Sequence, residues 1–335
     1  MKLLRYICFP IVPIYYCITW VRNTLFDLGV LKSTSYDFPV ICVGNLSVGG
    51  TGKTPMIEYL IRLLKDDYKV ATLSRGYKRK SEGFQLGSPG VTADVLGDEP
   101  FQFYSKYTNK IIVAVDANRR EGIAQLSALK PKPEVILLDD AFQHRKVKAG
   151  FNILLTTYSN RYTSDIVLPT GNLREPKRGA KRANVIIVTK CPAMLSDLEK
   201  ENIIDAIHPE VNQKVFFSSI KYAEYVLSKT RTIPLLQVPK FTLVTGIANP
   251  TPLVDFLTKK GLEFEHLNFK DHHDFTPDEL EIFKQKTFII TTEKDFMRLN
   301  QFSYLEDKLY YLSIEAVIDK ASDFDASVKT FISSF

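Results

Sequence analysis

The 335-residue sequence predicts an α/β fold. The expected form is a doubly wound, mainly parallel sheet of the P-loop NTPase type, with a second, smaller α/β domain and an N-terminal membrane-associated helix. Three observations lead there. An apolar run at 38–43 passes through a glycine-rich turn into an amphipathic segment at 56–64, the strand–loop–helix order that a phosphate-binding loop needs. Further apolar runs at 70–74, 111–115, 135–138, 151–156 and 185–189 alternate with helical or looped stretches, as buried parallel strands do. Several polar clusters follow the end of such a run, where ligands gather in an open α/β sheet.

The composition fits a globular chain of one large or two ordinary domains, with 45% apolar and 24% charged residues. A formal charge of +6 is moderate, and its basic residues cluster at 75–80 and 174–182. No nucleic-acid partner is expected, and the chain is read as a monomer. Cysteines at 8, 17, 42 and 191 have no metal-ligand spacing, and reduced thiols in the cytosol fit them best.

From the N-terminus onward, the segment between Arg5 and Arg22 carries no charge. Sixteen residues with Pro10 and Pro13 are too short to span a bilayer, which takes about 20. A helix in the membrane interface is the expectation, with Lys2, Arg5 and Arg22 at the headgroups and Phe9, Ile14, Trp20 and Leu25 inserted. A helix docked on the protein's own core is the alternative. The expected division is 1–33 for this helix, 34–214 for the nucleotide- and substrate-binding domain, 215–240 for connecting strands or a hinge, and 241–335 for the smaller domain. In the last, strands are expected at 241–245, 264–267 and 287–292.

The loop itself reads Ser47-Val48-Gly49-Gly50-Thr51-Gly52-Lys53-Thr54. Successive backbone N–H groups and the following helix N-terminus would cradle phosphate oxygens. Lys53 would reach the β- and γ-phosphates and Thr54 would hold Mg²⁺. Ser47 stands where the usual motif has its first glycine. The run at 135–138 ends in Asp139 and Asp140, both suited to a metal shell and not ranked by the sequence. Gln143 and His144 follow, able to order a nucleophile or the γ-phosphate.

Asp98 and Glu99 precede Pro100 and a helical stretch at 101–106, where acids also serve as a helix cap. In the alternative, Asp98 meets His272 of the second domain across a cleft, where the pair would take a proton from an attacking hydroxyl. A surface histidine is the plainer reading of His272. Arg174 would neutralise phosphoryl charge and Glu175 would join the Mg²⁺ shell, unless they form only a solvated ion pair. Glu293, after the last predicted strand, would face the nucleotide base.

Taken together these motifs resemble the tetraacyldisaccharide 4′-kinase family, the lipid A 4′-kinases, over nearly the whole chain. The resemblance rests on the loop at 44–55, Leu73-Ser-Arg75-Gly-Tyr, Gly-Asp98-Glu99-Pro, Val115-Asp116-x-Asn-Arg119 and Asp139-Asp140-Ala-Phe-Gln143-His144. It extends to Leu-Pro-x-Gly-x-Leu-Arg174-Glu175-Pro, Asp271-His272 and Thr-Glu293-Lys294-Asp295. Ala141 departs from the family's usual glycine, a change tolerated unless the backbone there is left-handed. The resemblance implies transfer of the ATP γ-phosphate to the 4′-hydroxyl of a tetraacylated glucosamine disaccharide 1-phosphate. It further implies a monotopic enzyme on the cytoplasmic face of the inner membrane, using ATP and Mg²⁺. Asp98 with His272 would activate the hydroxyl, and Lys53 and Arg174 would stabilise phosphoryl charge. Thr54, Asp139, Asp140 and Glu175 would surround Mg²⁺.

Two other readings compete. A GTPase would want Asn-Lys-x-Asp, whereas Thr189-Lys190-Cys191-Pro192 has proline at the acidic position. A membrane-binding regulatory ATPase would hydrolyse ATP without regard to any glycolipid.

Overall fold

The structure, a computed structural model, describes residues 7–271 and 273–335. His272 lies outside the described residues, as do Lys2 and Arg5. Among the described residues the first α-helix is α1 (Val12–Asp27), followed by β1 (Val40–Asn45), α2 (Lys53–Leu64), β2 (Val70–Ser74) and a short β3 (Gln85–Leu86). Next come α3 (Asp98–Lys106), β4 (Ile112–Val115), α4 (Arg119–Ser127), β5 (Val135–Asp139), β6 (Phe151–Thr157) and β7 (Val185–Thr189). The second half holds α5 (Asp197–Ile207), β8 (Lys214–Leu227), β9 (Thr232–Pro234), β10 (Phe241–Thr245), α6 (Thr251–Lys259) and β11 (Phe264–Asn268). It closes with α7 (Pro277–Gln285), β12 (Ile289–Thr292), α8 (Glu293–Leu299), β13 (Leu309–Ile318) and α9 (Ala321–Ile332).

Among the described residues the strands form one continuous mixed sheet, ordered β11-β10-β12-β13-β8-β7-β6-β1-β5-β2-β4-β3, with β9 beside β8. The strands from β7 to β4 are parallel, as the buried apolar runs predict. Side chains of β1 alternate between two cores. Ile41 and Val43 join Met56, Ile57, Leu60, Ile61 and Leu64 of α2, whereas Val40 and Cys42 pack with Leu73 and Ile136 on the other face. Burying both faces accounts for the unbroken apolar character of these strands.

The stretch expected as connecting strands or a hinge at 215–240 holds most of the longest strand among the described residues. β8 pairs in parallel with β7 at its start and antiparallel with β13 over the rest, carrying the sheet from one half into the other. β13 has no counterpart among the expected strands. Its far end brings α9 back onto the first half, where Phe324, Val328 and Ile332 enter the core of α2. Tyr59 of α2 donates to Asp325 of α9 at 2.8 Å.

Helix α1 divides along its length. Among its residues only Phe26 is buried, and the C-terminal turns dock: Arg22 donates to the Gln143 carbonyl at 3.1 Å, and Asp27 pairs with Arg145 at 2.8 Å. Ile14 and Ile18, by contrast, are 60% and 62% exposed, and Phe9 just before the helix is also open to solvent. No helix among the described residues is long and apolar enough to cross a membrane.

Candidate active site

The carboxyl ends of β1, β2, β5 and β7 open onto one cleft of about 1130 Å³, whose opposite wall comes from β8, β12, β13 and the start of α8. Here β1 has β5 on one side and β6 on the other, so the loop after β1 stands where the strand order reverses. Gly52 takes a left-handed conformation (φ 89°) as the N-cap of α2, which turns the chain into the helix without a side-chain penalty. Thr189 at the end of β7 donates its hydroxyl to the Thr51 carbonyl at 2.7 Å and holds the loop from behind.

Gly49, Gly50, Thr51, Gly52, Lys53 and Thr54 all line the cleft. Ser47 and Val48 do not face it, because they pair with a distant segment: Val48 N–H donates to the Asn172 carbonyl at 2.8 Å and Ser47 bridges Leu173. That pairing explains how serine replaces the first glycine, since Ser47 needs no left-handed backbone. It also delivers Arg174, whose own N–H donates to the Leu46 carbonyl at 2.7 Å.

Arg174 and Lys53 converge on Asp140. Arg174 donates to both its carboxylate oxygens at 2.9 and 3.0 Å, and Lys53 Nζ lies 3.7 Å away. Burial works against the charge on Asp140, but these two cations outweigh it and hold the carboxyl below its ordinary value. Left-handed backbone falls at Asp140 itself (φ 48°), not at Ala141, so the alanine is accommodated.

Asp139 has the opposite electrostatics. It is almost fully buried at the end of β5, accepts one bond from Ser74 at 3.2 Å, and has its Oδ1 buried without a hydrogen-bond partner. Burial, then Glu99 and Asp140, push it up to about 7. An acid with an orphaned oxygen on the cleft that Thr54 and the loop also line suits a hard divalent cation, which favours its ionised form. Gln143 and His144 also line the cleft. Gln143 donates to the Asn45 carbonyl at 2.8 Å; His144 is pushed down to about 4 by burial and by Arg119 and so is neutral near pH 7.

Three expected residues sit differently. Glu175 is buried outside the cleft and accepts from Arg182 through both oxygens (2.8 and 3.0 Å), from Gln143 at 3.0 Å and from Asn23 of α1. Its oxygens are occupied by protein donors, so the structure does not bring it to Asp139 and Thr54. Asp98 lies at the start of α3 just behind the cleft wall, with Arg298 Nε donating to it at 2.9 Å; its neighbour Glu99 and Asp271, next to His272, do line the cleft. Glu293 faces the cleft, but its carboxylate accepts from Lys106 at 2.8 Å, and Lys106 also bonds Glu58 at 2.7 Å. Burial and then Glu58 push Glu293 up to about 7.

Two residues stand in the site without a role read from the sequence. Arg119, 2% exposed, bonds the Asp116 carbonyl at 3.0 Å and the Asp139 carbonyl at 3.4 Å and lines the cleft. Lys190, seen in the sequence only as part of a failed guanine motif, lines the cleft opposite Gly50. Arg119 closes the Val115-Asp116-x-Asn-Arg119 stretch of the resemblance, which by itself gives it no role, and nothing short-range marks Lys190.

The profile of the tetraacyldisaccharide-1-P 4'-kinase family (LpxK) matches residues 4–333. Two relatives named tetraacyldisaccharide 4'-kinase, from Flavobacterium johnsoniae and Flavobacterium psychrophilum, are 52% and 50% identical to it. They align over 99% and 100% of this chain and 98% of their own lengths. The crystal structure of LpxK from Aquifex aeolicus in complex with ATP superposes with a TM-score of 0.78 at 31% identity, covering 98% of this chain and 99% of that one. The chain therefore belongs to the tetraacyldisaccharide-1-P 4'-kinase family.

Proposed function

We propose that this kinase transfers the γ-phosphate of ATP to the 4′-hydroxyl of a tetraacylated glucosamine disaccharide 1-phosphate, a lipid A precursor. The observation that carries the reading is the meeting of Lys53, Arg174 and two aspartates at one glycine-rich loop. In this proposal the loop is a P-loop. Its N–H groups and the α2 N-terminus hold the phosphates, and Lys53 and Arg174 exchange Asp140 for the oxygens of the transferring phosphoryl group. Fixed cations in a cleft need no reorganisation as charge develops, which is why such groups dominate phosphoryl transfer. Thr54, Asp139 and Asp140 are the groups suited to Mg²⁺, which when bound neutralises charge on the β- and γ-phosphate oxygens. Gln143 and neutral His144 border the γ-phosphate position.

Asp98, which accepts from Arg298, is assigned with His272 the role of taking the proton from the attacking hydroxyl. The exposed apolar side chains at the start of α1 suit the surface of the membrane that holds an acylated substrate, on the cytoplasmic face of the inner membrane. The basic loop at 174–182 suits the substrate's anionic 1-phosphate.

The test is transfer of labelled γ-phosphate from ATP to purified tetraacyldisaccharide 1-phosphate, with Asp98→Ala as the control. Label in the lipid with wild type, reduced by about 10²-fold or more in the variant, is expected. ATP hydrolysis without lipid label would overturn the assignment.

A further inference from the structure

Lys190 follows the last residue of β7 and takes a left-handed backbone (φ 56°), uncommon for a side chain with a Cβ. The conformation swings the lysine back over the β1–α2 loop. A Cβ at Gly50 would lie 3.8 Å from Lys190 Nζ, an ordinary van der Waals contact, so the ammonium stands beside the middle of the loop. Thr189 anchors the same corner by bonding both Thr51 and Thr156 carbonyls, at 2.7 and 3.2 Å. Both partners are therefore held in place.

The charges are unbalanced. Among the described residues the Lys190 ammonium has no hydrogen-bond or ion-pair partner, although it lines the cleft. Lys53 approaches the loop from α2 and finds Asp140; no carboxylate among the described residues does the same for Lys190. Burial and then the neighbouring Lys53 charge lower the Lys190 pKa from its ordinary value. Two ammonium groups drawn to one loop repel each other unless a polyanion lies between them. A purely structural lysine would instead point its ammonium into solvent or onto a carbonyl.

We propose that Lys190 is a second phosphate-binding lysine of this site, closing over the polyphosphate chain of the nucleotide from the side opposite Lys53. The proposal rests on the reading that the cleft binds a nucleoside triphosphate, and it deepens that reading by assigning a residue that no phosphate-loop motif includes. Its contribution is charge-assisted hydrogen bonding to phosphate oxygens, so it depends on the phosphates and not on the base.

The test is calorimetric titration of the full chain with ATP, ADP and adenosine in the presence of Mg²⁺, for wild type, Lys190→Met and Lys190→Arg. Lys190→Met is expected to weaken ATP and ADP by about tenfold or more while leaving adenosine unchanged. Lys190→Arg should recover most of the loss, and in turnover assays the methionine variant should raise KM for ATP more than it lowers kcat. Urea denaturation of both variants checks that the fold is intact. Equal affinities in wild type and Lys190→Met, or the same loss for adenosine as for ATP, would overturn the proposal. Failure of wild type to bind ATP would overturn the nucleotide reading beneath it.

Discussion

Asp139 offers the sharpest test of how the site is built. Its carboxyl is buried at the end of β5, flanked by Asp140 and Glu99, and pushed from 3.8 up to about 7. Because the folded state holds the proton more tightly than the unfolded chain, folding stability falls as pH rises from about 4 to about 7 and levels off above. At about 1.4 kcal/mol per pH unit, that rise corresponds to roughly 4 kcal/mol of stability lost across the window. Asp139→Asn keeps the shape and the Ser74 contact but cannot ionise. Other acids titrate in the same range, Glu293 among them, so the informative quantity is the difference between wild type and variant. The assay is urea denaturation of the metal- and nucleotide-free protein at half-unit steps from pH 4.5 to 8. The two curves should lie close together at the acid end and separate steadily toward neutrality, with the asparagine variant the more stable. Added Mg²⁺ should then stabilise wild type above pH 7 and leave the variant unmoved, since a hard cation favours the ionised acid. Parallel curves would show that Asp139 is ionised throughout, and that burial and its acidic neighbours do not govern it.

Two further outcomes follow from the geometry around α1. Glu175→Gln removes the charge facing Arg182 while keeping an acceptor for Gln143, and should cost about 2–3 kcal/mol in urea denaturation without raising the Mg²⁺ requirement of turnover. A raised Mg²⁺ requirement at unchanged stability would instead place Glu175 around the metal. Replacing exposed Ile14 and Ile18 by serine should weaken sedimentation with anionic phospholipid vesicles about tenfold or more, at unchanged stability, because each removes apolar surface worth about 1–2 kcal/mol of insertion. Vesicle binding equal to wild type would mean that this face does not meet lipid.

Much of the first half is legible in the sequence because its signals are local. Expected and observed strands coincide at 70–74 and 185–189 and differ by one residue at 112–115, since parallel strands buried on both faces read as continuous apolar runs. Helix α2 starts at Lys53, three residues before its amphipathic pattern becomes visible, because its first turn carries loop residues. β13 leaves no such mark, and the single long strand β8, Lys214–Leu227, is not marked off within the stretch expected as connecting strands or a hinge at 215–240. Both strands are partly solvent-exposed and mix apolar with polar residues, so neither offers the continuous apolar run that marks the other strands.

Sequence alone therefore determined which residues stand at the ends of the strands: the glycine-rich turn, its lysine, the paired aspartates after β5. These depend on neighbours a few positions away, whose backbone preferences and burial pattern are written in order along the chain. Tertiary structure decided which of them meet. Arg174 reaches Lys53 and Asp140 because residues 172–174 pair with 46–48, whereas Glu175, one residue on, is turned away into the hands of Arg182, Gln143 and Asn23. Lys190 reaches Gly50 only because β7 and β1 flank β6 in the same sheet. Hydrogen bonds and charges between segments far apart in sequence follow the packing of the whole sheet, and leave no period or spacing by which they could be read beforehand.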